Sequence, residues 1–158
     1  MPNKLKIITQ PNPILRKKSV KIDFKNIDAI KFRQLASALL NTMLKADGAG
    51  LAAPQIGQNI RLIAINTQNG SFCLINPKIT KKSWAKIWDS EGCLSVPGVY
   101  GKVRRHKKIT CSYLTENGQP KSITAEGLLA RVIQHEIDHL DGILFIDKAR
   151  NIEKQKTE

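Results

Sequence analysis

His135 and His139 stand at i and i+4 in Gln134-His135-Glu136-Ile137-Asp138-His139, and that spacing constrains the chain more than any other feature. On an α-helix such a pair shares one face, so both imidazoles can bind a single divalent ion. The segment is therefore expected to be a helix, and the rest of the fold has to bring a further ligand to it. Glu136 follows the first histidine by one position, about 100° further round the helix. That puts its carboxylate beside the metal rather than on it, where it can take a proton from water. A bound metal brings water's pKa from nearly 16 down to about 7, so the pattern points to hydrolysis of an amide-like bond.

The chain has 158 residues, enough for one domain with a real core and too few for two comfortable ones. Hydrophobic residues at 41% and charged residues at 25% place it among ordinary globular proteins rather than disordered ones. The Met1–Pro13 start lacks a long apolar run, so no signal peptide is expected, and no apolar stretch has transmembrane length. Cys73, Cys93 and Cys111 are widely spaced and odd in number, which favours free or metal-bound thiols in a reducing, cytoplasmic setting. The net charge of +13 has two readings. One is attraction to polyanions such as RNA; the other is a lysine-rich surface that serves solubility. The cations are scattered along the sequence, without the interleaved aromatics that would stack bases.

No repeat or linker divides the chain. Helical spacing of Phe32, Leu35, Ala36, Leu39, Leu40 and Met43 predicts a helix from Asn26 to Ala46, stopped by Asp47-Gly48. A small-residue loop, Gly48 to Gln55, should follow, then strands over Arg61–Asn66 and Ser71–Ile75 joined at Asn69-Gly70. Lys78–Trp88 reads as extended, with Trp84 and Trp88 as anchors. Lys108–Leu114 and Lys121–Glu126 alternate as strands around Asn117-Gly118, and a second helix runs from about Leu128 to Asp141, ending at Gly142. Leu128, Val132, His135 and His139 share a face of it. The expected architecture is α+β: a single compact domain, mostly antiparallel strands around a central helix that carries the histidines. It should span residues 1–147, with 148–158 as a short charged tail forming a fraying helix.

The third ligand decides the chemistry. One class of zinc peptidase continues its motif to a further histidine; here Phe145 stands at that position. Downstream glutamates are confined to Glu153 and Glu158 in the tail, and His106 lies in a basic stretch that disfavours a cation. Cys93, between Gly92 and Leu94, is the better candidate, whereas Cys73 and Cys111 read as small core residues. One Cys and two His leave a coordination position open, as catalytic sites require.

Three segments now resemble the peptide deformylase family: Gly48-Ala49-Gly50-Leu51-Ala52-Ala53-Pro54-Gln55, Glu91-Gly92-Cys93-Leu94-Ser95, and Gln134-His135-Glu136-Ile137-Asp138-His139-Leu140. The resemblance covers Lys4 to Asp147. It implies removal of the N-formyl group from the formyl-methionine of new polypeptides, with release of formate. It further implies Cys93, His135 and His139 as ligands of Fe²⁺, with Zn²⁺ as the alternative, and Glu136 as the acid–base residue. The Gln55 amide and the Leu94 backbone N–H match the family's donors to the oxyanion. Gly50 should let the peptide lie extended against the loop, and Leu128 and Val132 are candidates for the methionine slot, with Ala49 and Tyr100 beside them. Glu91 is expected to hold the Cys93 loop through backbone hydrogen bonds, and Asp138 to tie the helix to Arg104 or Arg105. The expected partners are nascent formyl-Met peptides and, through the basic surface, the ribosome, for a monomeric protein without a membrane. Two competing readings are a zinc endopeptidase and an RNA-binding module with a structural metal. Phe145 and the upstream cysteine weigh against the first; the open fourth position weighs against the second.

Overall fold

Asp28 starts the first helix by accepting hydrogen bonds from the N–H groups of Ile30 and Lys31, at 3.1 and 3.2 Å, which satisfies two donors of the first turn. Helix α1 therefore spans Ala29–Lys45, a little inside the expected bounds. It ends at Asp47, whose φ of 54° is left-handed. These positions come from a computed structural model, which describes residues 4–155. Lys156 and Glu158 of the expected tail lie outside the described residues.

The strands divide between two antiparallel sheets. The larger contains β1 (Gly50–Ala52), β2 (Leu62–Thr67), β3 (Gly70–Lys82), β6 (Lys108–Leu114) and β7 (Pro120–Glu126), in the order β1-β2-β3-β6-β7. The smaller contains β4 (Lys86–Cys93), β5 (Val96–His106) and β8 (Arg150–Lys154), in the order β4-β5-β8. Helix α2 (Gly127–Leu140) carries the histidine pair. The uninterrupted apolar run Leu62-Ile63-Ala64-Ile65 is explained by burial of β2 on both faces. Ile63 and Ile65 pack with Ala130, Ile133 and Ile137 of α2, while Leu62 and Ala64 pack with Ala36, Leu39 and Met43 of α1. A third cluster joins Val96 and Val103 of β5 to Leu15, Leu144 and Phe145. The fold is the expected single α+β domain, with α2 at its centre.

Four local expectations are corrected. The Gly48–Gln55 loop contains strand β1 and a 3₁₀ turn over Ala53–Ile56, because pairing with β2 satisfies a backbone that has no pattern of its own. Lys78–Trp88 crosses from β3 to β4 through a bend at residues 83–85. Trp84 and Trp88 are not anchors: Trp84 is 97% exposed at that bend, and Trp88 lies under the Arg150 guanidinium at 4.8 Å. The tail is strand β8 rather than a helix, paired with β5 through Val99–Lys154, Tyr100–Glu153 and Lys102–Arg150. A short isolated helix does not offset its nucleation cost, whereas the edge of β5 offers ready partners. Gly142 does follow α2 as a left-handed cap, at φ 74°, and a Cβ there would lie 2.5 Å from the Arg16 carbonyl oxygen.

Candidate active site

Strand β4 ends at Cys93, and Leu94-Ser95 turns the chain directly into β5, with Cys93 opposite Val96. A Cβ at Gly92, just before it, would lie 2.7 Å from the Tyr100 ring, so glycine lets that ring pack against the end of β4. The 3₁₀ turn after β1 delivers Gln55, which is buried and whose Oε1 accepts from the Ala52 N–H at 2.9 Å. That bond orients the amide, leaving Nε2 to donate to Ser95 Oγ at 3.1 Å and toward Cys93 Sγ at 3.6 Å. Helix α2 passes underneath and presents His135, Glu136 and His139.

One ligand-capable atom from each of Cys93, His135 and His139 falls within 4.8 Å of the others. Cys93 Sγ is 3.3 Å from His139 Nε2, and the two imidazoles meet edge to face at 5.0 Å between centroids. His135 Nδ1 lies 2.8 Å from Glu91 Oε1, leaving Nε2 for an ion; a carboxylate behind a ligating imidazole is the usual arrangement. Phe145 stacks on His135, with centroids 6.1 Å apart. The residue that replaces a possible third histidine thus supports the first one from behind.

Glu91 is buried and shared. Arg105 Nε and Nη2 each donate to it at 2.9 Å, and Arg131 Nη1 donates at 2.6 Å. Burial alone would neutralise the acid, but the bonds to His135 and Arg105 hold its carboxyl well below the usual carboxylate range. Arg105 Nη1 also reaches Asp138 at 2.5 Å, so of the two arginines expected for Asp138 the structure selects Arg105. Glu91 holds its surroundings through these side chains, not through the backbone bonds that were expected.

Around the cysteine the charges are arranged for a cation. Burial lowers His139 well below its ordinary value and keeps it neutral. Burial opposes charge on His135 too, yet bonds to Cys93 and Glu91 and the nearby Glu136 raise it to about 10. Burial pushes the Glu136 carboxyl up to about 7, and its Oε2 has no hydrogen-bond partner among the described residues. A thiol and two imidazoles form a donor set suited to a divalent transition metal, whose charge would bring the neighbouring Glu136 back down.

These residues border one cavity of about 540 Å³. Gly50, Gln55, Cys93, Leu94, Leu128, Val132, His135 and Glu136 all line it, whereas His139 sits behind the wall at 1% exposure. Leu128 is largely exposed at the rim and Val132 is buried; Ala49 and Tyr100 also face the cavity. At Gly50 a Cβ would approach Glu136 Oε1 at 2.7 Å and Val132 Cγ1 at 2.9 Å, so glycine there lets β1 lie against α2. Sequence reasoning missed the role of Arg131, which bonds Glu91, the Val103 carbonyl and the Ile87 carbonyl. Its position one helical turn before His135, on the same face of α2, was the available signal.

Three ligand-capable side chains beside a buried carboxylate, on a helix enclosed by antiparallel sheets, fit the class of metal-dependent hydrolases. Residues 4–155 match the family model described as polypeptide deformylase, and the chain belongs to that family. It is 50% identical over 143 residues to the peptide deformylase of Syntrophomonas wolfei, covering 90% of this chain and 91% of that one. Among solved structures, a Synechococcus elongatus peptide deformylase in complex with actinonin is 42% identical with a TM-score of 0.87, covering 96% of this chain and 81% of that one. The Thermotoga maritima enzyme gives 33% identity and a TM-score of 0.88, over 94% of this chain and 99% of that one. The chain is accordingly a hydrolase that removes the N-formyl group from newly made polypeptides.

Proposed function

We propose that Cys93, His135 and His139 hold Fe²⁺, with Zn²⁺ as the alternative, and that Glu136 is the acid–base residue of deformylation. The observation that carries this reading is the convergence of the three donor atoms within 4.8 Å, beside a carboxylate with one unpaired oxygen. A divalent ion held by these three residues would supply Lewis acidity and lower the pKa of water toward neutrality. Glu136 takes a proton from the water that attacks the formyl carbon and passes it to the departing amine. As the formyl oxygen becomes an oxyanion, the Gln55 Nε2–H and the Leu94 backbone N–H donate to it. Leu128 and Val132 border the slot for the methionine side chain, and the peptide runs extended along the β1 edge at Gly50.

Thiolate and imidazole ligands suit several first-row metals; the preference for iron rests on the family resemblance. We also read the enzyme as a cytoplasmic monomer that meets the ribosome through its basic surface. Its nascent-chain substrate, its free cysteines and its net charge of +13 support that reading. Among the described residues no helix is long and apolar enough to cross a membrane.

The test is formate release from formyl-Met-Ala-Ser by anaerobically prepared protein beside a Glu136→Ala variant, with metal content assayed in both. Rapid release by the parent and its loss in a variant that keeps its metal are expected. Equal turnover by the variant would remove Glu136 from the mechanism.

A further inference from the structure

At the corner where the chain passes from β3 to β4, and again from β5 to β6, the fold gathers cations that the sequence scatters. Lys82, Trp84, Lys86, Arg104, His106 and Lys107 line a groove of about 670 Å³ that has no acidic residue in its wall. The bend holding Trp84 is fixed by Lys107 N–H donating to the Ala85 carbonyl at 3.0 Å and by His106 Nδ1 lying 2.7 Å from the Ser83 carbonyl oxygen. Glu126 pairs with Lys108 at 3.2 Å. Among the described residues, Lys82, Lys86, Arg104 and Lys107 have no such acidic partner.

The groove opens onto the outer face of the β4–β5 ladder. Cross-strand pairs Lys86–His106, Trp88–Arg104 and Ser90–Lys102 succeed one another there, and Arg150 of β8 stacks on Trp88 at 4.8 Å. From Lys86 to Ser90 the strand advances about 14 Å, a cationic track longer than one nucleotide. Trp84, 97% exposed, contributes almost no burial to the fold and offers an open aromatic face among these charges.

We propose that this corner binds single-stranded RNA, with a base stacked on Trp84 and phosphates along Lys82, Lys86, Arg104 and Lys107. A sheet face carrying aromatic planes and cations is a recurrent way to hold unpaired nucleotides. An anionic membrane fits less well, because a helix or loop that lies in a bilayer surface needs a continuous apolar face. Here one indole projects from a cationic surface. The site is remote in chemistry from formyl removal and stands whether or not the catalytic assignments hold.

Both tryptophans of the chain lie here, so intrinsic emission reports the site directly. An oligouridylate of about 12 nucleotides should quench that emission on binding, with affinity falling steeply from about 50 to 200 mM salt. Trp84→Ala should weaken binding about 5- to 150-fold, with Trp84→Phe recovering part of the loss. A Lys86→Glu, Arg104→Glu variant should bind weakly with a shallower salt slope. All three should keep the parent's thermal midpoint and its turnover of formyl-Met-Ala-Ser. Absence of binding, or RNA affinity indifferent to both Trp84→Ala and the charge variant, would overturn the proposal. So would cosedimentation with phosphatidylglycerol vesicles without quenching by RNA.

Discussion

Gln55 illustrates how one side chain can be committed at both ends. Its oxygen is held by the Ala52 N–H, and its amide nitrogen donates to Ser95 Oγ and lies 3.6 Å from Cys93 Sγ, so the donors proposed for the oxyanion are held at the Cys93 turn. Gln55→Glu keeps the shape and removes those donors; kcat should fall about 10²- to 10³-fold with KM little changed, measured by steady-state formate release. Glu91 makes a different prediction, because it acts through His135. Glu91→Gln deprives His135, Arg105 and Arg131 of their shared anion, and metal affinity should drop about 10- to 100-fold, read by competition with a chromophoric chelator. That Cys93, His135 and His139 come together could be reasoned from sequence, because coordination chemistry restricts residue types and spacing. The Glu91 network could not, since contacts between residues 14 and 40 positions apart leave no periodic trace.

Strand β8 and the segments around it show how elements with weak sequence signals are fixed by their neighbours. Residues 13–16 form a 3₁₀ turn whose Arg16 makes two bonds to Asp147, at 2.5 and 3.1 Å, joining the start of the chain to the stretch just before β8. The hydrogen bond from Arg16 holds the Asp147 carboxyl below its usual range. A depressed carboxyl pKa contributes stability above the unfolded value of about 3.9 and loses it as pH falls through the folded value. The thermal midpoint of Asp147→Asn should therefore lie below the parent's at neutral pH, and the gap should close in acid. The pair is partly exposed, so the gap should also shrink with salt. The long helices and alternating strands were readable in advance because their periodicity reflects burial. Strand β1, with three residues, and β8, with five exposed ones, carry no such pattern; β8 is set by pairing with β5, and β1 by pairing with β2 together with burial of Leu51 and Ala52. Trp84 misled for a related reason: an aromatic in an extended stretch suggests burial, but here it sits at a bend between sheets.

At the scale of the molecule, the β1–β2–β3 region separates two jobs. One face meets α1 and provides packing; the other meets α2 and supports the site. Leu39, fully buried on the α1 side, belongs to the first. Leu39→Ala should lower unfolding free energy by about 2–5 kcal/mol in urea titrations while leaving kcat of the folded enzyme unchanged. The same arrangement leaves β1 as the edge strand of its sheet, beside the catalytic cavity. An edge grips a guest through amide and carbonyl groups, which every polypeptide carries in the same places. Recognition of that kind concentrates selectivity on the first residue and is largely blind to the side chains beyond it. With the substrate paired on β1 as proposed above, such indifference would suit an enzyme whose clients are the beginnings of many unrelated proteins.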